Sequence, residues 1–160
     1  MPDLTIIAVG DLHEKYFRQA ADEYKKRISS KFCVKEIEIK EERIPRGASE
    51  AQISAALERE AASIMAAVPK RAHITALCIE GRRYSSAGFA KMFEDAALSG
   101  KSSFCFIIGS SNGLADKVKA SAHIRMSMSE MTFPHQLARV MLYEAIYRSC
   151  EIMRGSGYHK

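Results

Sequence analysis

Five residues with almost no side chain, Gly109-Ser110-Ser111-Asn112-Gly113, follow directly on Phe106-Ile107-Ile108. The apolar run reads as the end of a buried strand, and the chain from Leu114 reads as helical again. A loop stripped this bare lets another group approach backbone N–H and C=O closely, because glycine has no Cβ and Gly and Asn tolerate positive φ. The same pattern also makes a tight strand-to-helix turn hinged at Asn112-Gly113. In α/β proteins ligands gather at the carboxyl ends of strands, where this loop falls. The spacing is neither the G-x-G-x-x-G of a dinucleotide site nor the Gly-Lys-Ser/Thr of a P-loop. The ligand must therefore be argued from other residues.

A second set of chemically able side chains lies toward the C-terminus. His135 follows Pro134 at the start of a helix, and the chain closes on GSGYHK. Gly155 and Gly157 there read as a hinge for Tyr158, His159 and Lys160. An imidazole, His135 or His159, can take up a proton at neutral pH. A phenol such as Tyr158 can stack on a base. Arg139, Arg148, Arg154 and Lys160 suit phosphate contacts, although Arg148 could equally pair with Glu144 or Glu151 on its own helix. Cys33, Cys78, Cys105 and Cys150 lie far apart, with no C-x-x-C or Cys/His cluster, so no metal site is expected and buried free thiols in a reducing cytosol are.

The 160 residues are read as one domain, 1–160, with no linker, repeat or low-complexity tract. The N-terminus lacks the basic-then-apolar pattern of a signal peptide, and no apolar run approaches the roughly 18 residues of a membrane span. A cytoplasmic protein is expected. The net charge of +5 is unevenly placed. Residues 1–80 carry 13 Lys/Arg and 13 Asp/Glu, whereas residues 81–160 carry 11 and 6, so the whole excess falls in the second half. That placement suits a polyanion such as nucleic acid.

Strands and helices must position these groups. Leu4–Val9 is a short apolar strand, and Glu14–Ile28 has helical spacing. Cys33–Ile39 alternates apolar and charged residues, as a half-exposed strand at a sheet edge does. Glu41–Gly47 is a polar loop, and Ser49 with Gln52 forms a capping-box pattern for a helix to about Val68. His73–Ile79 is a buried strand, Glu80–Tyr84 a loop, and Ser85 or Ser86 caps a helix to about Leu98. Ser103–Ile108 is the next strand, a helix runs to about Ser121, and Ile124–Met128 is the last strand. The alternation predicts an α/β fold, a mostly parallel sheet with helices on both faces. The final helix, from Pro134, is apolar round much of its circumference, the signature of burial or of a subunit interface.

FIIGSSNGL, MSEMTFPHQLARVMLYEAIYR, IMRG and the terminal YHK closely resemble the RlmH family of SPOUT-class methyltransferases. LTIIAVG followed by EKYFRQAADEYKKRI resembles the family's first strand and helix, so the likeness runs nearly end to end. The resemblance implies a C-terminal trefoil knot, a homodimer, and S-adenosyl-L-methionine as cofactor. It implies methylation of N3 of a pseudouridine in 23S ribosomal RNA, of the helix 69 type, within the ribosome. Carried over residue by residue, Leu77, Gly109, Met128, Ser129, Glu130, Met131, Thr132 and Phe133 match cofactor-contacting positions, and His159, Tyr158 and Arg148 are the candidates for catalysis. One departure is Ser110, where family members usually carry a second glycine; strain would follow if Ser110 had to take positive φ. Two other classes remain open on the residues alone: an RNA- or ribosome-binding module without catalysis, and a nucleotide-binding α/β protein.

Overall fold

The computed structural model describes all residues, 1–160. Five strands, β1 (Asp3–Val9), β2 (Cys33–Ile39), β3 (His73–Arg83), β4 (Ser103–Ile108) and β5 (Ile124–Ser127), form one sheet in the order β2-β1-β4-β3-β5. Every pairing is parallel. The helices are α1 (Lys15–Ile28), α2 (Glu50–Ala67), α3 (Ser86–Leu98), α4 (Asp116–Ser121) and α5 (His135–Arg154).

Alternation along the strands explains the layering. Leu4, Ile6 and Ala8 of β1 and Phe104, Phe106 and Ile108 of β4 face one side, in a cluster of 19 buried residues with α1, α3 and α5. Ile7, Val9, Cys105 and Ile107 face the other, in a smaller cluster of 12 with α2 and α4. The face that carries α5 is therefore the principal core. Ser49 accepts from the Gln52 amide while the Gln52 side chain accepts from the Ser49 N–H, the expected capping box, and Ser85 is the cap of α3. The edge position of β2 is also as expected, but Cys33 at its start is exposed rather than buried.

Two expectations need correction. Glu80–Tyr84 is not simply a loop: β3 pairs with β5 at Leu77, leaves the register, and pairs again at Arg82 and Arg83. Both Leu77 and Arg82 oppose Met126, so Cys78–Gly81 bulge out between them. Gly81 makes this possible, since a Cβ there would meet the Met126 backbone at 2.7 Å.

The second correction concerns Arg139. It is 1% exposed and does not reach solvent. Its guanidinium donates to Glu38 at 2.8 Å and to the Gly10 carbonyl at 3.0 Å, and lies 3.8 Å from Glu36. The Tyr143 hydroxyl donates to Glu36, and Arg18 donates to Glu36 at 2.8 Å. Burial pushes the Glu36 carboxyl up, but the Tyr143 and Arg18 hydrogen bonds and the Lys25 and Arg139 charges outweigh it, and the net direction is down. Burial, then the Glu36 charge, pushes the Tyr143 phenol well up, so Tyr143 stays a donor. This network fastens α5 to the edge strand β2. It is a structural use of residues whose types resemble a phosphate site.

Candidate active site

A cleft of about 700 Å³ opens at the carboxyl ends of β3, β4 and β5. Three stretches wall it: the β3 bulge, the loop Gly109–Gly113 after β4, and the segment from Met128 to Pro134 after β5. Seven of the eight carried-over positions line it, namely Leu77, Gly109, Met128, Ser129, Met131, Thr132 and Phe133. Glu130 does not. Its side chain is turned outward and pairs with Arg83 at 3.4 Å.

The loop after β4 is a tight turn as well as a bare one. The Gly113 amide donates to the Ser110 carbonyl at 2.9 Å, and Gly113 takes φ +82. A Cβ on Gly109 would lie 2.4 Å from the Gly113 carbonyl oxygen. Gly109 is therefore required by the loop's own closure, and a side chain there would unseat the loop before it filled the cleft. Ser110 is not strained: Arg71 is the one non-glycine residue with positive φ. Ser110 is buried, and its hydroxyl accepts from the Asn112 amide at 3.4 Å.

The walls are apolar where a soluble surface is usually polar. Ile79 is 59% exposed and Met131 71%, both on the cleft. Large apolar side chains held open beside backbone groups mark a binding site for a small organic molecule, and the volume is within the usual range for one. The polar side chains of the cleft are mostly uncharged serine, threonine and asparagine, and its Lys and its carboxylate are paired with each other. Lys119 donates to Glu80 at 2.6 Å, and this bond, more than any other effect, holds the Glu80 carboxyl below its usual range. Burial, then the Glu80 charge, pushes the Cys78 thiol up, so it stays a neutral thiol. His135, at the start of α5, lines the cleft with its Nε2 edge turned toward Gly10 after β1. Cys78, Ile79 and Glu80 escaped sequence reasoning because the bulge that presents them depends on β5. Gly81 is its one local trace.

The catalytic candidates lie elsewhere in the chain. Gly155 takes φ +72 and ends α5, with the Gly155 amide donating to Ile152 and the Ser156 amide to Glu151. It is a helix terminator, and only Gly157 remains as the expected hinge. The tail folds back along α5. Tyr158 packs edge-on to Tyr147 at 4.9 Å, with the Arg148 guanidinium 4.8 Å from its ring centre. Arg148 donates to Glu144 at 2.6 Å, the intrahelical pairing weighed against a phosphate role, and one of its nitrogens lies 3.3 Å from Nδ1 of His159. Thirteen residues separate His135 from Arg148, so tail and cleft stand about 20 Å apart along the helix. Within one chain the structure does not bring them together.

No group of three or more His, Cys, Asp or Glu side chains is placed to hold a metal. No helix is long and apolar enough to cross a membrane.

This geometry can be set beside known proteins. The solved structure of "a probable methylase family protein from Haemophilus influenzae Rd KW20" superposes with a TM-score of 0.56, over 98% of this chain and 70% of that one, at 12% identity, a likeness of fold alone. Ribosomal RNA large subunit methyltransferase H of Shouchella clausii (strain KSM-K16) is 42% identical over 158 residues, 99% of each chain. The family model described as "Predicted SPOUT methyltransferase" matches residues 3–159. With a parallel sheet, a cleft at its strand ends and a family match over almost its whole length, the chain belongs to the SPOUT methyltransferases and, among them, to the RlmH family.

Proposed function

We propose that this protein is a ribosomal RNA methyltransferase that uses S-adenosyl-L-methionine to methylate N3 of a pseudouridine in 23S ribosomal RNA, in the cytoplasm, on the ribosome. The observation that carries the reading is the cleft, with apolar walls and backbone groups at the ends of β3, β4 and β5. Leu77, Ile79, Met131 and Phe133 would flank a flat heterocycle, and the turn Gly109–Gly113 would offer its amides and carbonyls. S-adenosyl-L-methionine, when bound, supplies a methyl group activated on a sulfonium. The chain's part is to hold the base in line with that carbon and to exclude water. The N3 proton must also leave, and His135 on the cleft and His159 on the tail are the imidazoles suited to take it.

The separation of tail and cleft bears on assembly. Leu137 and Met141 stay half-buried on the side of α5 away from the principal core, with Val140 and Ala145 at the margins of that core. We place the homodimer interface there. An antiparallel pairing of two α5 helices would bring one subunit's Tyr158, His159 and Arg148 to the other's cleft, so that two chains build each site. A trefoil knot in the C-terminal segment, which the family likeness implies, agrees with β5 lying at the sheet edge beside β3.

The test is methylation of intact ribosomes, separated subunits and free 23S RNA with isotopically labelled S-adenosyl-L-methionine, followed by nucleoside mass spectrometry. The reading predicts label on the base of a pseudouridine. Binding to ribosomes without transfer of label would return the chain to a non-catalytic RNA-binding module.

A further inference from the structure

We propose that Arg82 and Arg83 at the end of β3, with Arg125 of β5, form a phosphate-binding lip that seats the RNA backbone at the mouth of the cleft. The proposal rests on the RNA-methyltransferase reading and names where that RNA lies.

Position is the first argument. Arg82 opposes Met126 and Arg83 opposes Ser127, and both opposing residues line the cleft. Arg125 precedes Met126 on the same strand. All three arginines are exposed; Arg82 and Arg83 lie directly beyond the bulge that forms the cleft wall, and Arg125 opposes Ala76 just before it.

Charge is the second. The neighbourhood holds four cations, Arg82, Arg83, Lys119 and Arg125, and two carboxylates, Glu80 and Glu130. Lys119 is taken by Glu80. Arg82 and Arg125 have no carboxylate within 4.0 Å, and Arg83 meets only Glu130, in a pair whose side chains are 64% and 79% exposed. Such a pair is weak and exchanges readily for a phosphate. The three other arginines of the basic second half are already paired: Arg139 with Glu38, Arg148 with Glu144, Arg154 with Glu151. The lip is where that half keeps guanidinium groups without a close carboxylate partner, Arg125 donating only to the Lys119 carbonyl at 3.2 Å, and the cleft itself holds no unpaired Lys or Arg to attract a polyanion.

Preorganisation is the third. Gly81 lets β3 lie directly on the β5 backbone, so the lip is fixed to a strand rather than carried on a loose loop. The Arg82 guanidinium stacks 4.7 Å from the ring centre of Tyr84, which packs against the principal core. A guanidinium held in place loses less freedom on forming the two parallel hydrogen bonds that phosphate accepts.

The experiment measures affinity for 70S ribosomes and for 23S ribosomal RNA over a series of salt concentrations. The double variant Arg82→Gln, Arg83→Gln should bind about tenfold or more weakly, with the slope of log affinity against log salt lowered by roughly 1.5 to 2. S-adenosyl-L-methionine affinity should be unchanged. Arg82→Lys with Arg83→Lys should recover most of the binding, because a phosphate accepts a point charge. Lys70→Gln with Lys101→Gln, which removes the same two charges from exposed positions near the opposite end of β3, controls for net charge and should leave affinity and slope alone. An unchanged slope in Arg82→Gln, Arg83→Gln, or an equal loss in the Lys70→Gln, Lys101→Gln control, overturns the lip. Both outcomes are read from binding, so they stand whether or not the wild-type protein transfers a methyl group. Failure of transfer would strike the proposed activity instead.

Discussion

Helix α5 starts on the cleft and ends beside the tail, and its two ends are chemically unlike. The cleft end has enclosed volume, apolar walls and backbone groups, with His135 as its lone imidazole. The tail end has the reactive side chains, Tyr158, His159, Arg148 and Glu144, gathered on an open helix surface. One end can hold a small molecule and the other can handle a base and its proton. About 20 Å of helix separates them. Between them lies the Arg139–Glu36–Tyr143 network, which holds the most buried charge in the molecule. In this fold, buried charge fixes a helix, and the groups proposed for chemistry stay near the surface.

The comparison is broken most severely by removing its rigid connection. Arg139→Ala takes the buried cation from Glu36 and Glu38, leaves them to the partly exposed Arg18, and frees the Gly10 carbonyl. It should cost about 3 to 5 kcal/mol in urea-unfolding stability. A loss under about 1 kcal/mol would mean that α5 is held by apolar packing alone.

Removing the other partner of the comparison should affect activity and little else. Deleting Tyr158–Lys160 takes away exposed contacts, so stability should change by less than about 1 kcal/mol and cofactor affinity by less than about twofold. Methyl transfer to ribosomes should fall about 100-fold, or about 2.7 kcal/mol. Full activity in the truncated protein would make the tail an ordinary frayed end.

A smaller effect sharpens the middle of the comparison. Tyr143→Phe removes one donor from Glu36 and should cost about 2 kcal/mol at neutral pH. The folded Glu36 carboxyl lies below its unfolded value, so its contribution is complete above the ordinary carboxylate range near ~4.3 and is lost as pH falls through the lower folded value. The wild-type advantage over Tyr143→Phe should therefore shrink on acidification below that range. A difference independent of pH would show that Tyr143 acts through packing.

Local pattern made much of the fold legible. The alternation in Cys33–Ile39 marked an edge strand, Ser49 and Gln52 marked a helix start, and the continuous apolar runs marked the inner strands. What escaped was set by contacts distant in sequence. The β3 bulge depends on β5 lying against Gly81, and Gly109 is bare because Gly113 closes on it. Arg139 resembles a phosphate ligand until Glu38, 101 residues away, is seen to pair with it. Gly155 resembles a hinge because a helix terminator and a hinge ask for the same residue. The proposed site positions come from family likeness rather than periodicity, and for the same reason: three loops far apart in sequence line one cleft.

The central claim, that cleft and tail act together across two chains, has a direct measurement. Met131→Asp places a charge on the cleft wall and should weaken S-adenosyl-L-methionine binding at least about tenfold without unfolding a side chain that is already 71% exposed. That variant keeps its tail, and the chain lacking Tyr158–Lys160 keeps its cleft. Each homodimer alone should be nearly inactive. A purified hybrid of the two holds one intact cleft facing one intact tail, and it should methylate ribosomes at roughly half the wild-type rate. A hybrid as inactive as its parents would contradict the account, because it would mean that each cleft is served only by the tail of its own chain.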